Sequence, residues 1–405
     1  MSSLFHSVTL PAFTLRPYQQ EAVDRAVGFL SVNTKKNGLI VMPTGAGKSL
    51  IIASIVQALR EPCLIFQPSK EILEQNYEKL QAYGFRPSIF SASARRREIG
   101  DITLATIGSV VKRTDQFSGF RYVIIDECHL VNSKGGMYAS FLSSLSDARI
   151  LGLTATPFRL TTDGYGGSIL KFLTRTRPRV FHQLVYYVDT GTLFRAGYLA
   201  KLEYHAVKGM DRSQLKLNTT GADYTDESVQ KHFSDIGFED KLERVVRRLL
   251  EIGRKNALVF TRFVKESQYL SERIPGAAIV TAETPKAERE SIIARFRDGT
   301  IRVVCNVGVL TTGFDYPELE TVVLARPTMS LGLYYQMTGR CVRPHPAKPF
   351  AMVVDMAGLQ EQFGKIEDLV IRGRDPKWFM ASNGKPLTNV YFGEPPQQRY
   401  SQYRP

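Results

Sequence analysis

From Gly38 to Leu153 short apolar runs alternate with amphipathic stretches, and that alternation restricts the possible folds more than any other feature. The runs are Leu39 to Met42, Cys63 to Phe66, Ser88 to Phe90, Ile102 to Ala105, Tyr122 to Asp126 and Ile150 to Leu153. Between two of them, Lys70 to Tyr83 carries Ile72, Leu73, Tyr77 and Leu80 at helical spacing. Strand, helix, strand in repetition implies a parallel, doubly wound sheet. A second set follows Gly197: Leu202 to Val207, Ala257 to Thr261, Ala278 to Val280, Arg302 to Asn306, Thr321 to Leu324 and Ala351 to Asp355. Helices are predicted near Asp240 to Ile252, Phe263 to Arg273 and Pro285 to Phe296. A chain of 405 residues is too long for one comfortable core. The predicted class is therefore α/β, with two tandem domains, each a mostly parallel sheet with helices on both faces. Their boundaries are set at 1–190 and 191–374. A Pro-, Gln- and Tyr-rich tail over 375–405 is expected to be poorly ordered. The polar stretch Lys208 to Asp235 reads as an exposed insertion or connection.

Composition narrows the functional classes. No apolar run reaches the length of a membrane span and no basic segment precedes an apolar one at the N-terminus, so no membrane association and a cytoplasmic location are expected. Cys63, Cys128, Cys305 and Cys341 lie far apart and never as CxxC, which argues against a zinc knuckle or a redox pair. Lys and Arg number 53 against 39 Asp and Glu, a surplus of 14 that favours polyanions.

Met42-Pro-Thr-Gly-Ala-Gly-Lys-Ser49 interrupts the first apolar run and opens the next helical stretch. A glycine-rich turn between strand and helix lets backbone N–H groups converge on an anion at a helix N-terminus. Thr44, Gly45, Ala46 and Gly47 would form that cradle, Lys48 would reach the outer phosphates and Ser49 would hold Mg²⁺. The general phosphate-loop pattern wants a glycine where this chain has Met42. The second element is Val123-Ile-Ile-Asp-Glu-Cys-His129, an apolar strand delivering two adjacent carboxylates at the edge where parallel sheets bind ligands. Asp126 is placed to hold Mg²⁺ and Glu127 to orient and deprotonate the attacking water.

With these residues the chain resembles the superfamily 2 helicases and translocases, over about residues 14 to 356. Thr14-Leu-Arg-Pro-Tyr-Gln-Gln20 is similar to the adenine-recognising entry motif, which casts Gln19 as the base reader and Arg16 as its neighbour. Pro43 to Ser49 resembles motif I, Asp126 to His129 the DExH form of motif II, which brings His129 into the catalytic set, and Thr154-Ala-Thr-Pro157 motif III. Leu258-Val-Phe-Thr-Arg262, Leu310-Thr-Thr-Gly-Phe-Asp315 and Gln336-Met-Thr-Gly-Arg-Cys-Val-Arg343 resemble motifs IV, V and VI. LRPYQQEAV, DECH, GLTATPFRL and VGVLTTGFD are similar to the RadD-like branch of bacterial DNA repair helicases, without that branch's cysteine-rich zinc module. A compact bacterial or phage-encoded relative is the expectation.

The resemblance implies two RecA-like domains, ATP and Mg²⁺ as cofactors, and a hydrolytic site that needs both. Arg343 and Arg340 would meet charge on the transferred phosphoryl group, Gln336 would bind near the γ-phosphate or the water, and Gly313 and Asp315 would contact nucleotide. Sequence-independent backbone contacts to DNA are expected from Pro68, Ser69 and Lys70, from Thr106 and Ser109, and from Thr261, Arg262 and Thr311. The implied activity is that of an ATP-dependent DNA helicase or translocase in repair, recombination or replication, acting as a monomer and open to other replication or repair proteins as partners. RNA as the polymer, and an ATP-driven clamp that separates no strands, remain open alternatives. Arg95-Arg96-Arg97 reads as a solvated loop, with a DNA contact as the alternative.

Overall fold

The computed structural model describes residues 14–32, 34–145, 147–162, 168–311 and 314–390. Gly313 and the tail aromatics Tyr400 and Tyr403 lie outside the described residues. The chain divides into two compact units, unit 1 within Met1–Arg159, Lys171–Asp189 and Ile371–Met380, and unit 2 within Leu160–Leu170, Thr190–Val370 and Ala381–Pro405.

Strands in the first part are β1 (Gly38–Val41), β2 (Cys63–Phe66), β3 (Ser88–Ser91), β4 (Arg96–Arg97), β5 (Ile102–Ala105), β6 (Tyr122–Asp126), β7 (Arg149–Thr154), β8 (Phe158–Thr162), β9 (Ser168–Phe172) and β10 (Gln183–Tyr187). Among the described residues unit 1 is built on an eight-stranded sheet in the order β10-β1-β7-β6-β2-β5-β3-β4, while β8 and β9 pair with each other. All pairings in the large sheet are parallel except β3 with β4. β1, β2, β5 and β6 are buried at every residue, as strands covered on both faces must be. Helices α1 (Pro17–Ser31), α2 (Lys48–Leu59) and α3 (Lys70–Ala82) supply part of that cover. Ser69 caps α3 by accepting from Ile72 N at 3.3 Å.

Two local readings change. The arginines expected in a solvated loop put Arg96 and Arg97 into edge strand β4, where Phe90 faces Arg97. Arg96 is held there by Glu98 at 3.0 Å and lies over the Tyr77 ring at 4.8 Å. β10, which lies outside the runs named from the sequence, completes the sheet beside β1.

Unit 2 contains β11 (Leu202–Ala206), β12 (Ala257–Thr261), β13 (Ala277–Val280), β14 (Val303–Asn306), β15 (Thr321–Ala325) and β16 (Ala351–Asp355). They form an all-parallel sheet in the order β11-β16-β15-β12-β14-β13. One side of its core joins Val259, Val303, Val323 and Val354 to Leu242, Val246 and Leu270 from the covering helices. The stretch expected as an exposed connection contains a helix, Asp226–Asp235, whose Val229 and Phe233 enter this core. Phe233 stacks on Phe238 with centroids 3.9 Å apart, so a polar composition concealed two core anchors.

The units are not two single segments, because the chain returns to unit 1 over Ile371–Met380. Ile371 N donates to Asp189 Oδ1 at 2.8 Å, Leu184 N donates to Asp375 Oδ1 at 3.1 Å, and Trp378 packs edge-on against Tyr187. The tail expected to be poorly ordered from 375 is structured at least to Pro386. After β17 (Leu369–Arg372), β18 (Phe379–Ser382) pairs antiparallel with β19 (Lys385–Pro386). Among the described residues no helix is long and apolar enough to cross a membrane.

Gly152 shows how tightly unit 1 is packed beneath its carboxylates. A Cβ there would lie 2.5 Å from Phe181 Cε1 and 2.7 Å from Cys128 Sγ. Gly152→Ala is expected to destabilise the protein by about 1–3 kcal/mol through overpacking, read as a fall in denaturant midpoint at constant slope.

Candidate active site

The loop between β1 and α2 has the shape an anion requires. Gly45 and Gly47 have φ of 83° and 82°, a region that a side chain disfavours. At Gly47 space adds a second reason, since a Cβ would sit 2.5 Å from Gln19 Nε2. α2 starts at Lys48, so its unsatisfied first-turn N–H groups and its dipole are directed at whatever the loop encloses.

β7 lies between β1 and β6, and all three run the same way, so the loop and the carboxylates emerge on one edge of the sheet. Met42 N donates to Thr154 O at 3.0 Å, tying the start of the loop to the end of β7. Glu127 leaves β6 in a left-handed conformation, φ 48° and ψ 48°, which turns its carboxylate back across the edge. Its Oε1 is ion-paired with Lys48 Nζ. Its Oε2 lies 3.3 Å from His129 Nδ1 and 3.4 Å from Thr154 Oγ1, while His129 Nδ1 and Thr154 Oγ1 are 2.9 Å apart. Thr156 N donates to Thr154 Oγ1 at 3.0 Å. Lys48, Glu127, His129 and Thr154, which the sequence presents as three separate motifs, thus form one network inside unit 1.

The two carboxylates are driven apart in acidity. Burial pushes Asp126 up to about 6 despite the opposing Lys48 ammonium. Burial works in the same sense on Glu127, but Lys48 and His129 outweigh it and hold its carboxyl below the usual range.

The donors fit a magnesium ion. Ser49 Oγ gives its proton to Asn76 Oδ1 at 2.6 Å, which leaves the oxygen lone pairs for a cation. A buried carboxylate such as Asp126, raised in pKa by desolvation, is a group that a divalent charge would favour in its ionised form. Oxygen donors of this kind suit Mg²⁺.

Gln19 is 5% exposed and turned onto the phosphate loop, with Nε2 donating to Ala46 O at 2.9 Å and Oε1 accepting from Arg16 N at 2.9 Å. Tyr18 OH reaches the same carbonyl at 3.1 Å. In this structure the expected base reader thus serves the loop backbone, and Tyr18 is a loop support that the sequence reading had not singled out. Asn76 was missed as well. The signal was present: it falls in the stripe defined by buried Leu73 and Leu80, where a polar residue needs a reason.

In unit 2, Asp315 and Arg343 meet, Oδ2 to Nη1 at 2.8 Å. Arg340 donates to Phe314 O and to Gln336 O, the latter at 3.3 Å. The residues of this unit expected to contact nucleic acid are largely turned inward. Thr261 is 1% exposed and bonded to Ser267 Oγ at 2.8 Å. The Arg262 side chain is 8% exposed and holds Asp226, Asp223, Tyr224 O and Pro327 O, so it fastens loops rather than offering a cation. Thr311 is 9% exposed. In unit 1, Ser109 is buried and joins Thr106, at 2.9 Å, in a hydroxyl cluster with Ser91. Lys70 pairs with Glu74 at 3.5 Å and remains partly exposed beside Pro68 and Ser69.

Family comparison agrees with this anatomy. Residues 12–159 match the model described as type III restriction enzyme, res subunit, and residues 240–345 the helicase conserved C-terminal domain. The chain is 26% identical over 324 residues to a 51.5 kDa protein of Lactococcus phage (isolate 7-9), covering 78% of this chain and 65% of that one. It is 27% identical over 359 residues to the DNA 3'-5' translocase XPB2 of Sulfurisphaera tokodaii, covering 81% and 78%. A fragment of a putative HsdR subunit of a type I restriction enzyme from Vibrio vulnificus superposes with a TM-score of 0.63 at 21% identity, over 86% of this chain and 65% of that one. The chain thus spans just under two thirds of the phage protein and of the HsdR fragment. With a phosphate loop, a DECH carboxylate pair and a second parallel sheet carrying the helicase C-terminal motifs, the chain belongs to the superfamily 2 helicases.

Proposed function

We propose that the protein is an ATP-dependent DNA translocase of the helicase type, hydrolysing ATP to move on or remodel DNA. The observation that carries this reading is the network of Lys48, Glu127, His129 and Thr154 at the mouth of the phosphate loop. It supports the reading because it gathers on one sheet edge a cation suited to the outer phosphates and a carboxylate suited to act on water. Lys48 is assigned to the phosphates, Glu127 to the attacking water, and His129 with Thr154 to orienting Glu127. Ser49 and Asp126 would hold magnesium, which when bound supplies positive charge to the phosphate oxygens. Arg340, Arg343, Gln336 and Asp315 are assigned to the same hydrolysis on the strength of motifs V and VI.

DNA as the polymer is supported by the translocase relative's name and by the net charge of +14. With Thr261 and Arg262 turned inward, the contacts we assign to DNA fall on the loop of Pro68, Ser69 and Lys70, with Thr106 beside it. Such backbone contacts imply binding that ignores sequence and weakens with salt. Within the superfamily we place the chain beside the RadD-like repair helicases on its LRPYQQEAV and GLTATPFRL stretches. We take it to act as a monomer in the bacterial cytoplasm, encoded by a bacterium or a phage.

The test is ATP turnover measured side by side with single-stranded, duplex and branched DNA and with RNA. DNA is expected to raise the rate and RNA to leave it low. A rate indifferent to every nucleic acid overturns the reading. Strand displacement from forks then decides between helicase and translocase.

A further inference from the structure

Asn76 is 6% exposed on the apolar face of α3 and uses both ends of its amide. Oδ1 accepts from Ser49 Oγ at 2.6 Å, and Nδ2 donates to Gln67 Oε1 at 2.9 Å. Gln67, 1% exposed, follows β2 directly, and its N–H donates to Ala105 O at 2.9 Å. A leucine would fill this position without the desolvation cost of an amide, so the amide is accounted for by its two hydrogen bonds.

The bonds also have a direction. A hydroxyl that lends lone pairs to a cation must send its proton elsewhere, and Asn76 receives the proton of Ser49. Asn76 in turn spends its own N–H on the residue that opens the loop of Pro68, Ser69 and Lys70. Ser69 caps the helix that carries Asn76, so loop and helix are tied at two points within unit 1, and the phosphate-loop serine is attached to them through Asn76.

We propose that Asn76 is a positioning residue that joins the phosphate loop to the loop at 67–70. It orients the Ser49 hydroxyl for magnesium and, through Gln67, places the loop assigned to nucleic acid. This inference rests on the reading of the chain as a nucleic-acid-stimulated ATPase.

Two quantities test it in the full chain. One is the magnesium concentration that half-saturates the tightening of a fluorescent ADP analogue, with EDTA as the reference. The other is the factor by which single-stranded DNA raises ATP turnover. Asn76→Leu, close in volume, is expected to raise the magnesium half-saturation by about 10–100-fold, the usual cost of losing a partner behind a metal ligand. Asn76→Asp keeps the acceptor for Ser49 and is expected to hold the wild-type magnesium dependence. Gln67→Leu leaves the Ser49 bond in place and is expected to keep the magnesium dependence while losing the stimulation by DNA.

A role in packing alone reverses the order of the Asn76 variants, because a buried leucine is easier to accommodate than a buried carboxylate. That reversal, or wild-type magnesium dependence in Asn76→Leu, overturns the proposal. Should Asn76→Leu fail to fold, Gln67→Leu decides, and undiminished stimulation by DNA in it overturns the coupling. If the wild-type protein itself shows neither magnesium dependence nor stimulation, the functional reading falls first and takes the proposal with it.

Discussion

Glu127→Gln is expected to lower ATP turnover by about 10²–10⁴-fold, the usual contribution of a general base, while nucleotide stays bound. The amide keeps the shape of the side chain and removes only its charge and basicity. In the structure the carboxylate is ion-paired with Lys48 and lies against His129. Burial alone would raise its pKa, but these neighbours hold it below the usual range, so Glu127 is a weak base while Lys48 rests on it. Its basicity is expected to recover if ATP draws the ammonium to its phosphates, as the proposed role of Lys48 requires. Lys48 thus has two partners in turn, and the amide variant removes one of them. Nucleotide affinity in the variant should therefore be at least that of the wild type, and the ATP-bound protein should persist on DNA. Single-turnover hydrolysis and equilibrium nucleotide binding measured on the same preparation check both halves. Turnover within a factor of a few of wild type would remove Glu127 from the role of base.

Arg343→Ala is expected to reduce turnover by about 10³-fold or more, in the range measured when an arginine that meets transition-state charge is removed from related nucleotide hydrolases. The ground state argues that this loss is not a folding defect. The Arg343 side chain is 42% exposed and pairs with Asp315, itself 33% exposed, at 2.8 Å. Pairs this open to water contribute about 0–1 kcal/mol. The unfolding midpoint should therefore move little while the rate collapses, and ATP affinity should be retained. Arg343→Lys keeps a charge but not the planar fork, and should recover only a small part of the rate. Near-normal turnover in Arg343→Ala would sever motif VI from the chemistry.

How far the sequence could be read depended on the range of the interactions involved. β2, β5, β6, β12 and β16 begin and end where the runs read from the sequence do, because a strand buried on both faces must be mostly apolar. The helix Asp226–Asp235 was hidden because only Val229 and Phe233 of its ten residues enter the core, too few to outweigh a polar composition. β10 lies at the sheet edge and is only partly covered, with Leu184 the one buried residue of its five. The return of Ile371–Met380 to unit 1 rests on Asp189 and Asp375, single side chains that accept backbone N–H groups nearly two hundred residues away.

At the site the division is similar. Lys48, Ser49, Asp126 and Glu127 could be named from short motifs because a phosphate loop and a strand-end carboxylate pair are local arrangements of backbone and side chain. Gln19, Thr261 and Arg262 could not be placed from the chain alone. Whether such residues face solvent or bond inward depends on partners from distant segments: Ala46 for Gln19, Ser267 for Thr261, and Asp223 and Asp226 for Arg262.

By itself, then, the sequence determined two parallel α/β sheets, a phosphate cradle and the carboxylates beside it, since periodicity and turn chemistry act over a few residues. Only the tertiary structure decided that Glu127 is paired with Lys48, that Asn76 links Ser49 to Gln67, and that Arg262 is spent on holding loops. Those outcomes depend on which buried polar groups find one another across the folded chain, and hydrogen-bond satisfaction of that kind has no signature at short range.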